Sequence, residues 1–349
     1  MSYGEAGNML RQRIIGLDYL RVGLVVQVFL FHAWLHLHCS FGFLTPFIRM
    51  GSTAMTGFFM LSGFALGAVY QNHDFSSWKA CKGFWYKRLC GIWPLYLVVS
   101  ILSIAFYSDV SLAKNIVLGP VLVLGYPTVF TSLFNVAPVS GTWFISCILF
   151  CYLLFPFLIS LARQMSRLER VALLGVVVIV FFCGVAAQHV FRLASIYTNP
   201  FFRILEFSVG TVLWMESEKI RDRWSTAKCM SMTICAVVVM VIGITIGMRI
   251  PIAPGDPMVY SVVVLPCFAC LIVSLSAVDF RGNRLLGYLS GASYAFFLGQ
   301  FFCYDLTLRT LSCFCDSNLM RLTLSFVLNV IVSVSFYELV QKPCKRMLM

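Results

Sequence analysis

Arg21 and His32 sit eleven residues apart in one long apolar stretch. That spacing is about three turns of an α-helix, so the two side chains share a stripe, displaced by about 16 Å along the axis. The pair offers a fixed cation and a ring that gains or loses a proton near neutral pH. Both are costly in lipid, and such groups normally face a water-filled cavity on a functional pathway. The other reading is a snorkelling arginine beside a hydrogen-bonded core histidine. Asp18, one turn before Arg21, is placed to neutralise it in a supporting role. Arg203 and Glu206 are three apart and can pair on one helix, either as a helix-entry ion pair or with Glu206 orienting another group of a site.

Two further patterns resemble metal or redox chemistry and are read otherwise. His36 lies four residues beyond His32, a ligand spacing, but no carboxylate or further histidine is grouped with them, and His36 and His38 fall near the outer interface. Cys267 and Cys270 have the spacing of a zinc or thiol pair without a second pair in register. Of the 14 cysteines, most lie inside apolar runs, among them Cys147, Cys151, Cys183 and Cys235, where the thiol acts as a small hydrophobe. No metal site is assigned. Cys39, Cys313 and Cys315 lie near helix ends on the outer side and leave one disulfide open.

These residues have to be positioned by elements that live in lipid. The chain has 349 residues, 60% hydrophobic and 11% charged, where soluble domains average about 25% charged. Its mean hydropathy is +0.88. This composition excludes an ordinary cytosolic enzyme, a disordered protein and a secreted disulfide scaffold. A span needs about 20 apolar residues, and ten such runs are present, at 17–38, 54–71, 91–108, 142–161, 170–189, 201–216, 229–249, 258–278, 287–308 and 321–340. The run 115–130 is broken by Gly119, Pro120, Gly125 and Pro127 and is read as re-entrant or interfacial. Arg11 and Arg13 precede the first run without a cleavage site after it, so that run is a membrane helix and not a signal peptide.

The net charge of +12 raises nucleic-acid binding, but cytoplasmic loops of membrane proteins collect Lys and Arg for another reason. With both ends inside, 19 of the 26 Lys and Arg fall on inner segments and 7 on outer ones. Counting 115–130 as a span would spoil that split. The expectation is an all-α polytopic membrane protein with about ten transmembrane helices, both termini cytoplasmic. It forms one membrane domain over 1–349 with no separate soluble domain and no nucleic-acid partner.

Several segments then match a known family in order. The first helix carries the Arg21–His32 spacing with ten residues between. Gly57-Phe-Phe-Met-Leu-Ser-Gly-Phe64 follows, then Phe84-Trp-Tyr-Lys-Arg-Leu-Cys-Gly-Ile-Trp-Pro-Leu-Tyr96, then Thr142-Trp-Phe-Ile-Ser and Tyr152-Leu-Leu-Phe-Pro156. Arg203-Ile-Leu-Glu-Phe-Ser-Val-Gly210, Ser293-Tyr-Ala-Phe-Phe-Leu298 and the stretch from Glu338 to Pro343 complete the series. The chain resembles acyltransferase family 3, integral-membrane enzymes that transfer acyl groups to sugars of the cell envelope. It departs from that pattern at Gly91, where a second arginine is frequent, at Ile148 and Leu149, where two Glu are frequent, and at Gln300, where a His is common. These departures mark a divergent subgroup.

The resemblance implies a membrane O-acyltransferase, most simply an O-acetyltransferase, of the inner cell membrane. Acetyl-CoA or another acyl-CoA would be the donor co-substrate, with no tightly bound cofactor, and a glycan or lipid-linked sugar would be the acceptor. Arg88, Lys87 and Arg21 are the cations expected at the donor's phosphates. His32 is expected to accept the proton of the attacking hydroxyl, or to carry the acyl group transiently. Ser62, Trp143 and Ser146 are expected to line the cavity or simply to pack, with Arg203, Glu206 and Asp18 as supporting residues. A homo-oligomer is compatible with the chain. The rival class is a secondary transporter or flippase, against which stands the absence of paired broken helices in two halves. The third class is a non-catalytic sensor that keeps the fold.

Overall fold

A computed structural model describes residues 13–107, 141, 143–192, 195–248, 257–309 and 317–347. The run 115–130, Cys313 and Cys315 lie outside the described residues. Among the described residues, ten long helices coincide with the ten expected spans. They are α1 (Ile15–Leu37), α2 (Ala54–Tyr70), α3 (Trp78–Tyr107), α4 (Trp143–Gln164), α5 (Arg167–Val190), α6 (Pro200–Arg221), α7 (Thr226–Gly247), α8 (Ser261–Ser276), α9 (Arg284–Arg309) and α10 (Asn318–Phe336). Their starts follow capping chemistry. Ser166 and Glu169 form a reciprocal capping box before α5, Asn199 caps α6 with Pro200 in its first turn, and Ser225 and Ser317 accept from backbone N–H groups of α7 and α10. At the other end, α1 closes on His38 in the left-handed conformation, φ 54°.

One boundary differs clearly from the sequence reading. α3 begins at Trp78, well before the apolar run at 91–108. The lead-in carries Lys79, Lys82, Lys87 and Arg88, which end a hydropathy run but are good helix formers. Ser77 accepts from the Ala80 N–H at its start, and Lys82 lies 5.4 Å over the Trp78 ring.

Among the described residues, eight helices are long and apolar enough to cross a membrane. The two others, α6 and α9, have the length but carry polar residues in their interiors. Both are central. Arg203, Glu206 and Thr211 of α6 and Ser290, Gln300 and Thr307 of α9 are buried. By contrast, α5, α7 and α10 turn apolar side chains outward, such as Ile179, Phe182, Ile234, Ile242 and Ile331. Polar inside and apolar outside is the distribution of a bundle solvated by lipid. The protein is an all-α, multi-pass membrane protein.

Without a hydrophobic drive between helices in lipid, close backbone approach and interhelical hydrogen bonds hold the bundle. α2 and α6 touch backbone to backbone. A Cβ on Gly63 would lie 2.0 Å from the Phe207 carbonyl oxygen, and one on Gly210 would lie 1.9 Å from that of Met60. α9 and α10 are joined by polar contacts, with the Asn329 amide donating to the Phe296 carbonyl (3.2 Å) and Ser325 donating to Thr307 (2.9 Å).

The ends of the helices sort into two sides. Arg163 at the end of α4 donates to the carbonyls of Tyr70 and His73 after α2 (2.7 and 2.9 Å), and Arg170 of α5 meets Glu216 of α6 at 2.9 Å. At the opposite end Tyr197 donates to the Ser52 carbonyl, and Asn318 donates to that of His38. The loops read as inner therefore gather at one, cation-rich end. A reporter or a labelled cysteine placed at Asp222, between α6 and α7, is expected to read out on the cytoplasmic side. A signal from the far side would overturn the orientation inferred from charge.

Candidate active site

A cavity of about 430 Å³ opens at the cation-rich end between α1, α2, α3, α4, α9 and the segment after α10. That is within the range of small-molecule sites. Arg21 comes from α1, Ser62 from α2 and Lys87, Arg88 and Gly91 from α3. Tyr152 comes from α4, Ser290, Ser293 and Tyr294 from α9, and Gln341 and Lys345 from the segment after α10. Lys87 and Lys345 stand exposed, while Arg21 and Arg88 are half-buried. Among the described lining residues there are four cations and no carboxylate. Such a site attracts an anion, and arginines add fork geometry suited to phosphate or carboxylate.

The arginines are held from behind. Arg88 donates to the Tyr70 hydroxyl at 3.2 Å and lies over the Tyr70 and Phe84 rings at 5.5 and 5.6 Å, while its Nε is buried without a hydrogen-bond partner among the described residues. Arg21 donates to the Ser290 hydroxyl at 3.3 Å. Ser290 in turn donates to Asp18, whose other oxygen pairs with Arg13. Asp18 thus does not sit directly on Arg21, as spacing along the helix had suggested. It reaches the arginine through one serine and takes its own cation from the extended chain before α1 begins.

His32 does not line the cavity. The deep wall is aromatic, with Phe58, Phe144 and Phe297, and Phe297 packs on Phe301 at 6.3 Å between ring centres. The Phe301 ring stands edge-on to His32 at 4.7 Å. On its other side His32 stacks on His36 at 5.5 Å, and its Nδ1 is buried with no hydrogen-bond partner among the described residues. The imidazole is therefore not fixed as a structural hydrogen-bonding group. Phe301 is held in place by Gly141, where any Cβ would fall 2.1 Å from the ring.

The remaining expected site residues form a second cluster, away from the cavity. Arg203 and Glu206 are fully buried, paired at 2.8 and 2.9 Å, with Arg203 also donating to the Tyr197 carbonyl and Thr56 donating to Glu206 at 2.7 Å. The guanidinium lies over the rings of Tyr197, Trp143 and Phe59 at 4.5, 5.3 and 5.4 Å. Trp143 therefore serves this ion pair, and Ser146 is buried nearby on the same helix; neither reaches the cavity. The arrangement ties α2, α4 and α6 together.

The structure thus brings Arg21, Lys87, Arg88 and Ser62 together and keeps Asp18, Trp143, Ser146, Arg203 and Glu206 behind them or apart. Sequence reasoning missed Gln341 and Lys345 as lining residues. Their separation of four was the available signal, since it puts them on one helical face. No curated protein and no solved structure matches the chain significantly. A family model described as an acyltransferase domain matches residues 14–338, from just before α1 to the turn after α10, so the chain belongs to that acyltransferase family.

Proposed function

We propose that this acyltransferase takes an acyl group, most simply acetyl, from acyl-CoA on the cytoplasmic side of the cell's inner membrane. The acceptor is a hydroxyl of an envelope polysaccharide or lipid-linked sugar. The observation that carries this reading is the cavity lined by Arg21, Lys87, Arg88 and Lys345, with no carboxylate among its described lining residues and with Arg21 on the same stripe of α1 as His32. The cations suit the donor's phosphates, and the aromatic wall suits its thioester end. With the Phe297 and Phe301 rings, which separate the cavity from His32, turned aside, the hydroxyl oxygen attacks the thioester carbonyl carbon as His32 takes the hydroxyl proton; the carbon–sulfur bond then breaks and coenzyme A leaves, its sulfur collecting the proton. An imidazole nitrogen without a competing hydrogen bond suits that role.

The test is Arg88→Ala in purified protein. A charge-assisted contact to phosphate is worth roughly 1.5–3 kcal/mol, so the donor KM should rise about tenfold or more with kcat little changed. A collapsed kcat at an unaltered donor KM would move Arg88 to the reacting centre. Failure of the wild-type protein to transfer or hydrolyse acyl groups from acyl-CoA would overturn the reading in favour of a transporter.

A further inference from the structure

The family match ends at residue 338, yet two groups facing the cavity come after it. Beyond α10 the chain makes one π-helical turn, Tyr337–Gln341, and then a short α-helix, Lys342–Arg346. A π-turn holds one residue more than an α-turn, which rotates everything beyond it by about 100°. The turn is fixed on α9. Tyr337 packs edge-on to Tyr288 at 5.2 Å, and its hydroxyl lies so close to Gly291 that a Cβ there would fall 2.7 Å away. Glu338 holds Lys342 at 2.8 Å, which leaves Lys345 as the lysine of this segment that lines the cavity.

Gln341 and Lys345 are four apart and both line the cavity. Gln341 is only 4% exposed, and its Oε1 has no hydrogen-bond partner among the described residues. Lys345 makes no ion pair among the described residues. Also in the lining, Gly91 leaves open space, with no atom within 4 Å of where its Cβ would be. A cluster of like charges with orphaned polar atoms is unfavourable until an anion enters it.

We infer that the segment after α10 is part of the donor site: Lys345 contacts a phosphate of the anionic donor held by Arg88 and Arg21, and Gln341 accepts a hydrogen bond from an N–H or O–H of the same molecule. This rests on the reading of the cavity as an acyl-CoA site. The test is equilibrium binding of coenzyme A to the purified, detergent-solubilised full chain. Lys345→Gln should weaken binding about tenfold, Lys345→Arg should restore it, and Lys342→Gln, which removes a lysine already paired to Glu338, should leave it unchanged. Should Lys345→Gln not fold, coenzyme A should still protect Lys345 of the wild-type protein from an amine-reactive reagent, read by mass spectrometry. Wild-type binding by Lys345→Gln alongside weakened binding by Arg88→Ala, or an absence of protection, would overturn the role of the segment and leave the donor site standing. No binding of coenzyme A by the wild-type protein would overturn the acyl-CoA reading itself.

Discussion

His32→Ala is expected to lower acyl transfer per folded molecule by at least about a hundredfold, the lower range of general-base catalysis, with little loss of fold. The ring has aromatic neighbours, Phe31, Phe301 and His36, but its Nδ1 makes no hydrogen bond that the substitution would break. Truncation forfeits some packing and at the same time removes a buried, unsatisfied polar atom, so the two effects oppose each other. His36→Ala should be milder, because that ring lies about 6 Å further along the helix and stacks on Tyr304. Transfer measured per folded molecule, alongside the melting temperature of both variants, decides the matter. Retention of more than about a tenth of wild-type turnover by His32→Ala would end the catalytic assignment, since a base contributes more than that.

Glu206→Ala should be the most damaging single change to stability. It leaves Arg203, fully buried, without its counter-charge, and breaking a buried pair from one side costs about 3–5 kcal/mol. Glu206→Gln keeps the shape and an acceptor for Thr56 and should fall between. A double change, Arg203→Met with Glu206→Leu, removes both charges and should recover much of the loss. Thermal unfolding in detergent reads all three. A Glu206→Ala protein that melts like the wild type but transfers no acyl group would show that the pair belongs to the chemistry instead of the scaffold.

The bundle was largely readable because lipid imposes a single requirement, a long apolar run, on every span. The spans starting near 201 and 287 were also found as runs, although α6 and α9 bury their polar residues so deeply that composition alone ranks them below the others. The resemblance and their place on the inner side group Arg21 with Lys87 and Arg88 of α3, and the cavity that joins these helices is something no one-dimensional pattern specifies. Helical spacing puts Asp18 near Arg21, with Ser290 between them, but does not reveal its second partner Arg13, which lies before the helix begins, where a periodicity argument no longer holds. For Trp143 and Ser146 the sequence leaves lining the cavity and packing both open, because nothing in an apolar helix tells which face meets α6. Gln341 and Lys345 were hidden by the π-turn, which changes the facing of every later residue without changing hydropathy.

The ion pair inside α6 also bears on how the chain enters the membrane. A helix carrying an arginine and a glutamate in its apolar half partitions poorly into lipid by itself. The groups that satisfy that pair, Thr56 and Phe59 of α2 and Trp143 of α4, are all made earlier in synthesis. The backbone contact of Gly63 and Gly210 likewise needs α2 already in position. The contacts that make α6 tolerable in a bilayer thus come from α2 and α4, both of which precede it in the chain.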